Sequence, residues 1–243
     1  MANITVSDLK PTLVAREEFN PILWDGTDLR LPIRVALLKA AKAFFDFLEV
    51  PDLAIHDIIL TGSNAALNYT EFSDLDVHIV VSYEATPYED IASNFFSTKK
   101  NLWNETHEII IKGYRVEMYV EDSSDPVKAL GVYSLLNGDW LRKPSIDDRP
   151  EWNDRAVAAK ADDIAQRIDD LLSAKPSPEA LDKLINRIRN MRRAGLADNG
   201  EFSTENLAFK GLRNLGYMDR LYRARIDAED ESLSLESVGG DDF

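Results

Sequence analysis

Cysteine is absent from the chain, which excludes disulfides, thiolate zinc sites and a cysteine nucleophile. Histidine is scarce: His56, His78 and His107 stand apart without zinc-ligand spacing, so any metal is expected to be a hard cation held by oxygen. No apolar run approaches the roughly 18 residues needed to span a bilayer, and MANITVSDLKPTL lacks the basic start and apolar core of a signal peptide. A cytoplasmic protein with no membrane partner is expected. Missing too are the GxxxxGKS/T phosphate loop, GxGxxG, the GxSxG elbow and HExxH. Positive charge is short: 28 Lys and Arg face 43 Asp and Glu, a net charge of -15 that opposes a polyanionic partner. The deficit is uneven, with 14 basic against 24 acidic side chains in residues 1–150, 14 against 12 in 151–226, and none against 7 in 227–243. Nucleic acid is thereby disfavoured without being excluded.

What is present has the composition of a globular protein, 44% apolar and 29% charged, in 243 residues that can bury a sizeable core. The first 32 residues show no clean periodicity and end in the turn-rich WDGTDLRLP. Ile33, Leu37, Ala41, Phe44 and Leu48 then recur at helical spacing until Pro51. His56 to Thr61 reads as a short buried strand, Asp76 to Val81 as a second, and EIIIKGYRVEMYVED as a third and fourth joined at Lys112-Gly113. After Pro150 the pattern turns helical, through Val157, Ala161, Ile164, Ile168 and Leu171, then Leu181, Leu184, Ile185, Ile188 and Met191, with a further helix opening at Ser203 as N-cap. The expected fold is therefore α/β (α+β), a mixed-sheet core in residues 1–145 followed by a helical domain in residues 146–226. The acidic end, residues 227–243, is expected to be a disordered tail.

The chemistry concentrates in LTGSNAALNYTEFSDLDVHIVV, Leu60 to Val81. Gly62-Ser63 ends one strand, and after ten residues Asp74 and Asp76 open the next, where a side-chain period of two sends both carboxylates to one face. Two adjacent carboxylates repel unless a cation lies between them. Glycine at the turn lets backbone approach a phosphate, and a following helix start would aim N–H groups and the Ser63 hydroxyl at it. In VEMYV, Glu117 shares a strand face with Arg115 and Tyr119, opposite Val116 and Met118, and is either at a solvated edge or the third carboxylate of a two-metal site.

An apolar residue, Gly-Ser, a gap of this length and Asp-apolar-Asp-apolar together resemble the signature of the DNA polymerase β-like nucleotidyltransferase superfamily, with Glu117 at its third acidic position. FNPILWDGTDLR, GVYSLLNGDWLRKP and EFSTENLAFKGLRNLGY extend the resemblance to stand-alone members carried by tailed bacteriophages, so the host cytoplasm is the expected location. The resemblance implies a nucleotidyltransferase core with Asp74, Asp76 and Glu117 as catalytic and metal-binding residues. It further implies magnesium or manganese as cofactor, an NTP (ATP first) as substrate and an unidentified acceptor. Rival readings are a small-molecule adenylyltransferase of the antibiotic-modifying type, an oligonucleotide or cyclic-nucleotide synthase, and an inactive nucleotide-binding protein.

This sequence departs from the family in having Glu where many members have Asp, and in lacking any basic residue in SNAALNYTEF. Phosphate contacts are then expected from Lys210 or Arg213 in the helical part, with Lys128 in reserve, and Ser134 or Tyr133 against nucleotide or core. His78, on the face of the two aspartates, is expected to hydrogen-bond a carboxylate rather than a metal. Lys183, Arg187, Arg189, Arg192 and Arg193 read first as a solvated helix face, second as an RNA or acceptor track.

Overall fold

A computed structural model describes residues 3–11, 13–84, 86, 91–125, 128–145 and 152–234. In chain order its elements are α1 (Val6–Leu9), β1 (Trp24–Asp25), β2 (Asp28–Leu29), α2 (Leu31–Leu48), β3 (Asp57–Thr61), β4 (Leu75–Val81), α3 (Ala92–Thr106), β5 (Ile110–Ile111), β6 (Tyr114–Asp122), β7 (Val132–Ser134), β8 (Asp139–Arg142), α4 (Asp154–Ser173), α5 (Pro178–Asn199), α6 (Thr204–Asn214) and α7 (Tyr217–Leu233). They fall into two compact units, Val14–Arg149 and Met1–Leu13 with Pro150–Phe243.

The first unit is built on a mixed sheet of order β5-β6-β4-β3-β7-β8, in which only β4 and β6 are parallel. Parallel neighbours need a long crossover, and α3 lies within it. The two-residue loop Lys112-Gly113 joins β5 to β6 with φ of 53° and 89°, as the right-handed twist of a tight hairpin requires. Period two then divides β4: Leu75, Val77, Ile79 and Val81 are fully buried with Phe44 and Leu37 of α2, while Asp76, His78 and Val80 face the other way and stay half-buried. Met118 does the same for β6. Asn104 of α3 gives its side-chain amide to the Met118 carbonyl and takes the Met118 N–H, each at 3.0 Å, so α3 satisfies a sheet edge left open beyond the short β5. At the other end Trp24 and Trp140 stack at 4.9 Å, with Tyr133 edge-on to both.

The second unit is helical. Val157, Ala161, Ile164 and Ile168 of α4 and Leu181, Ile185 and Ile188 of α5 share one apolar cluster with Leu207, Leu212, Met218 and Leu221. Asn153, Ser177 and Ser203 cap α4, α5 and α6, each side chain accepting a backbone N–H three residues on.

Two expectations about boundaries need correction. The N-terminal segment does not belong with the sheet: Leu9 is buried in the helical cluster, a Cβ at Gly211 would lie 2.5 Å from its methyl group, and the Ile4 N–H donates to Asp162 at 2.8 Å. Nor is the acidic end without structure from residue 227, since α7 continues to Leu233. Ala, Glu and Leu are good helix formers, and Arg225 ties α7 down by bonding Asp182 of α5 at 3.1 Å and pairing with Glu229 one turn on. Residues 235–243 of the expected tail lie outside the described residues.

Candidate functional site

The turn after β3 is determined by Gly62, which adopts φ 74° and ψ -166°, a conformation essentially restricted to glycine. A Cβ there would stand 1.8 Å from the Asp76 carboxylate oxygen Oδ2, so the backbone and that carboxylate are in direct apposition. Thr61 is the β-ladder partner of Asp76, and Asp76 in turn is the partner of Glu117 on the parallel neighbour β6. Directly opposed residues share a sheet face. Asp74 lies just ahead of β4, two residues before Asp76, and all three acids are half-buried.

Tyr119 reports their collective field. Its hydroxyl donates to Glu117 Oε2 at 2.6 Å. Its pKa is pushed far above the ordinary phenol value, first by burial, then by the charges of Asp76 and Glu117, by the hydrogen bond to Glu117, and by the charge of Asp74. One phenol thus feels all three carboxylates. The carboxylates do not form a closed ligand sphere, however: among the described residues no group of three His, Cys, Asp or Glu side chains is placed to hold a metal ion. Glu117 Oε2 takes the Tyr119 hydroxyl, and Asp76 Oδ2 lies against the Gly62 turn.

The loop between Gly62 and Asp74 is closed by its own polar groups. Ser63 Oγ donates to Ser73 Oγ at 2.7 Å, and Ser73 Oγ accepts the Thr70 N–H at 2.9 Å. Ser63 therefore holds the two ends of the loop together, and the helix start expected after it is a single 3-10 turn, Ser63–Ala65. Asn64 is fully buried, donating to the Asp74 carbonyl at 2.9 Å and accepting from Asn20 at 3.0 Å, while the Trp24 indole donates to the Asn64 carbonyl at 2.8 Å. These anchors of the aspartate strand were not read from the sequence. A buried Asn in a polar loop has no periodicity to betray it.

The remaining expected residues part company. Ser134 is fully buried, donates to Asp57 Oδ1 at 2.8 Å and accepts the Asn137 N–H at 3.0 Å, so its hydroxyl serves the β7 turn rather than a nucleotide. Tyr133 is a core aromatic. Lys210 and Arg213 lie on α6 in the helical unit, where Lys210 Nζ is 3.9 Å from Glu201. Lys128 is exposed. A cation overlooked in the sequence is Lys100 of α3, whose Nζ lies 5.1 Å from the centre of the Tyr119 ring. His78 meets the expectation of a carboxylate neighbour, but the carboxylate is Glu121: Nδ1 lies 3.0 Å from Glu121 Oε2, Nε2 lies 3.3 Å from Thr61 Oγ1, and the ring stacks on Tyr119. Of the basic cluster on α5, Arg189 covers Tyr222, and Arg192 bonds Asn206 at 3.0 Å over the Phe209 ring. Lys183, Arg187, Arg189 and Arg193 are exposed and Arg192 is half-buried, as a solvated helix face requires.

Among the described residues no helix is long and apolar enough to cross a membrane. No protein-family model matches the chain, and no curated protein or solved structure proves similar to it.

Proposed function

We propose that this protein is a nucleotidyltransferase, moving a nucleoside monophosphate from an NTP to an acceptor hydroxyl. The observation that carries the reading is the lateral register of Asp76 with Glu117 beside a Gly62 turn pressed against the Asp76 carboxylate. Acyl transfer, hydride transfer and thiol chemistry would call for none of these groups together.

The donor set is all oxygen, which suits magnesium or manganese, and Asp74, Asp76 and Glu117 are the residues that would hold it. Glu117 keeps a second carboxylate oxygen beyond the one Tyr119 engages, and its register beside Asp76 supports this choice of residues. When bound, such an ion neutralises the triphosphate and lowers the pKa of the attacking hydroxyl. The chain's own residues do the rest. Gly62 exposes backbone to close approach, Ser63 and Ser73 hold the loop shut beneath it, and Asn64 fixes the carbonyl of Asp74. Tyr119, kept protonated by its surroundings, acts as a donor that orients Glu117. Lys100 brings positive charge near this face from α3, the contribution that the loop itself lacks. Phosphoryl transfer depends mostly on such positioning and charge stabilisation.

The test is calorimetric titration of each NTP with and without magnesium, followed by a pyrophosphate assay in the presence of cell extract. Magnesium-dependent binding of at least one NTP, with pyrophosphate release that Asp76→Asn abolishes, is expected. Magnesium-dependent binding without pyrophosphate would mean a nucleotide-binding protein without turnover, and NTP binding indifferent to magnesium would overturn the site assignment.

A further inference from the structure

The sheet face that carries Asp76 and Glu117 continues along both strands. Because β4 and β6 are parallel and in register, the pair Val80 and Glu121 lies four residues beyond the pair Asp76 and Glu117 on the same face, about 13 Å away at roughly 3.3 Å per residue. A cavity of about 230 Å³ opens there, lined by Asp57, Ile59, Val80, Glu121, Val132 and Leu141 among others. Its apolar floor is a small core of its own, in which Ile59 and Val132 pack with Ala129 and Val80. Its volume is below the roughly 300–1,000 Å³ of sites for drug-sized ligands, so the occupant is small.

We propose that this cavity binds an alkyl amine, with the protonated nitrogen against Glu121 and Asp57 and the hydrocarbon stem over Ile59, Val80 and Val132. Glu121 is only 9% exposed, an unusual position for a carboxylate, and a burial that favours a cationic neighbour. His78 Nδ1, 3.0 Å from its Oε2, fixes the side chain from the active-face side. Asp57 is fixed as well, with Oδ1 accepting from the Ser134 hydroxyl and from the Ile58 N–H, at 2.8 and 2.7 Å. The wall's own cation, Arg142, is exposed and donates to the Ala129 carbonyl at 3.0 Å. An anion would meet two carboxylates against the single Arg142, and a polyhydroxylated sugar would lay hydroxyls against an apolar floor without partners. That the amine is part of the acceptor in nucleotidyl transfer rests on the function proposed above. That the cavity takes an amine does not.

The experiment titrates the intact protein with hexylamine, hexanol and hexanoate by ligand-observed and protein-observed NMR, and separately with magnesium and ATP. Hexylamine is expected to bind at least tenfold more tightly than the other two. Glu121→Gln should weaken it at least tenfold. Since a buried substitution can upset folding, Leu141→Trp provides the second arm: Leu141 is 59% exposed, so the fold tolerates the change while the indole fills the cavity mouth and blocks hexylamine. Hexylamine binding no tighter than hexanol, or unchanged in both variants, overturns the proposal. Amine binding without any binding of magnesium and ATP would defeat the nucleotidyltransferase reading alone, and the converse would defeat the cavity alone.

Discussion

The face of β4 formed by Leu75, Val77, Ile79 and Val81 is closed to solvent, whereas the alternate residues Asp76, His78 and Val80 on the same strand remain half-buried. On β6, Val116 and Met118 are buried beside Glu117 and Tyr119 in the same alternation. The first face is where folding free energy is gained, at about 1.5–3 kcal/mol for each large apolar side chain buried. The second gathers acids whose mutual repulsion works against it. A slip of one residue in the β4–β6 register would exchange the two faces, burying the carboxylates and exposing the core. The apolar face therefore fixes the position of the charged one, and the site is held in register by residues that never touch it.

The largest effects should separate the two faces. Asp76→Asn is expected to lower pyrophosphate release at least about a hundredfold, the scale on which lost electrostatic stabilisation acts in other enzymes. Its melting temperature should stay equal or rise, because one member of a like-charged group is removed. Met118→Ala, on the buried face, should cost about 2–5 kcal/mol in urea denaturation while each folded molecule keeps its turnover. A less stable Asp76→Asn, or a Met118→Ala that loses turnover without losing stability, would mean that the faces do not divide the work this way.

An intermediate effect is expected where the faces meet, at Gly62. Gly62→Ala combines a backbone at φ 74° with a collision against Asp76 Oδ2, and should destabilise by about 1–3 kcal/mol. In an Asp76→Ala background most of the collision is gone and only the backbone term remains. The double-mutant cycle should therefore show coupling of about 0.5–3 kcal/mol between positions 62 and 76. Strict additivity would show that the apposition of turn and carboxylate is not maintained in solution.

How much of this was legible depended on whether a residue's role leaves a pattern. The β3 and β4 strands, the Lys112-Gly113 hairpin, α2, α4, α5 and α6 all follow from apolar periodicity or turn chemistry, and they are present, whereas α7 was not read. Helix α3 left a weaker trace: Ala92, Phe95, Phe96, Leu102 and Trp103 keep helical spacing only across a gap filled by Ser, Thr, Lys and Asn, and just Ala92, Phe96 and Trp103 are buried. The same helix carries Lys100 and Asn104, so missing it meant missing both the cation near Tyr119 and the cover of the sheet edge. That Asp74 and Asp76 share a face could be read from period two. Which strand lies beside which could not, because parallel pairing of β4 with β6 depends on a crossover that local patterns do not encode. Ser134 is a different case. Its position in GVYSLL left nucleotide and core both open, and its hydroxyl donates to Asp57 and accepts the Asn137 N–H.

The smallest expected effect lies where both faces end, at Tyr83. Its hydroxyl donates to the Val120 carbonyl at 3.2 Å, and its pKa is pushed up to about 12, first by burial, then by the charges of Asp122 and Glu121. The sign follows from proton binding. Below pH about 10 the phenol is protonated in both folded and unfolded chains and stability does not depend on it. Above that the unfolded chain gives up its proton while the folded one holds it, so stability falls as pH rises toward about 12 and levels off beyond. Tyr83 is only half-buried, so solvent screening reduces the change to on the order of 1 kcal/mol. Urea denaturation across this range should show a steeper decline for the parent than for Tyr83→Phe, with Glu121→Gln in between because only the third of the three causes is removed. Parallel curves for parent and Tyr83→Phe would show that this phenol titrates as if exposed, and that the charge of Glu121 does not extend past the end of the sheet.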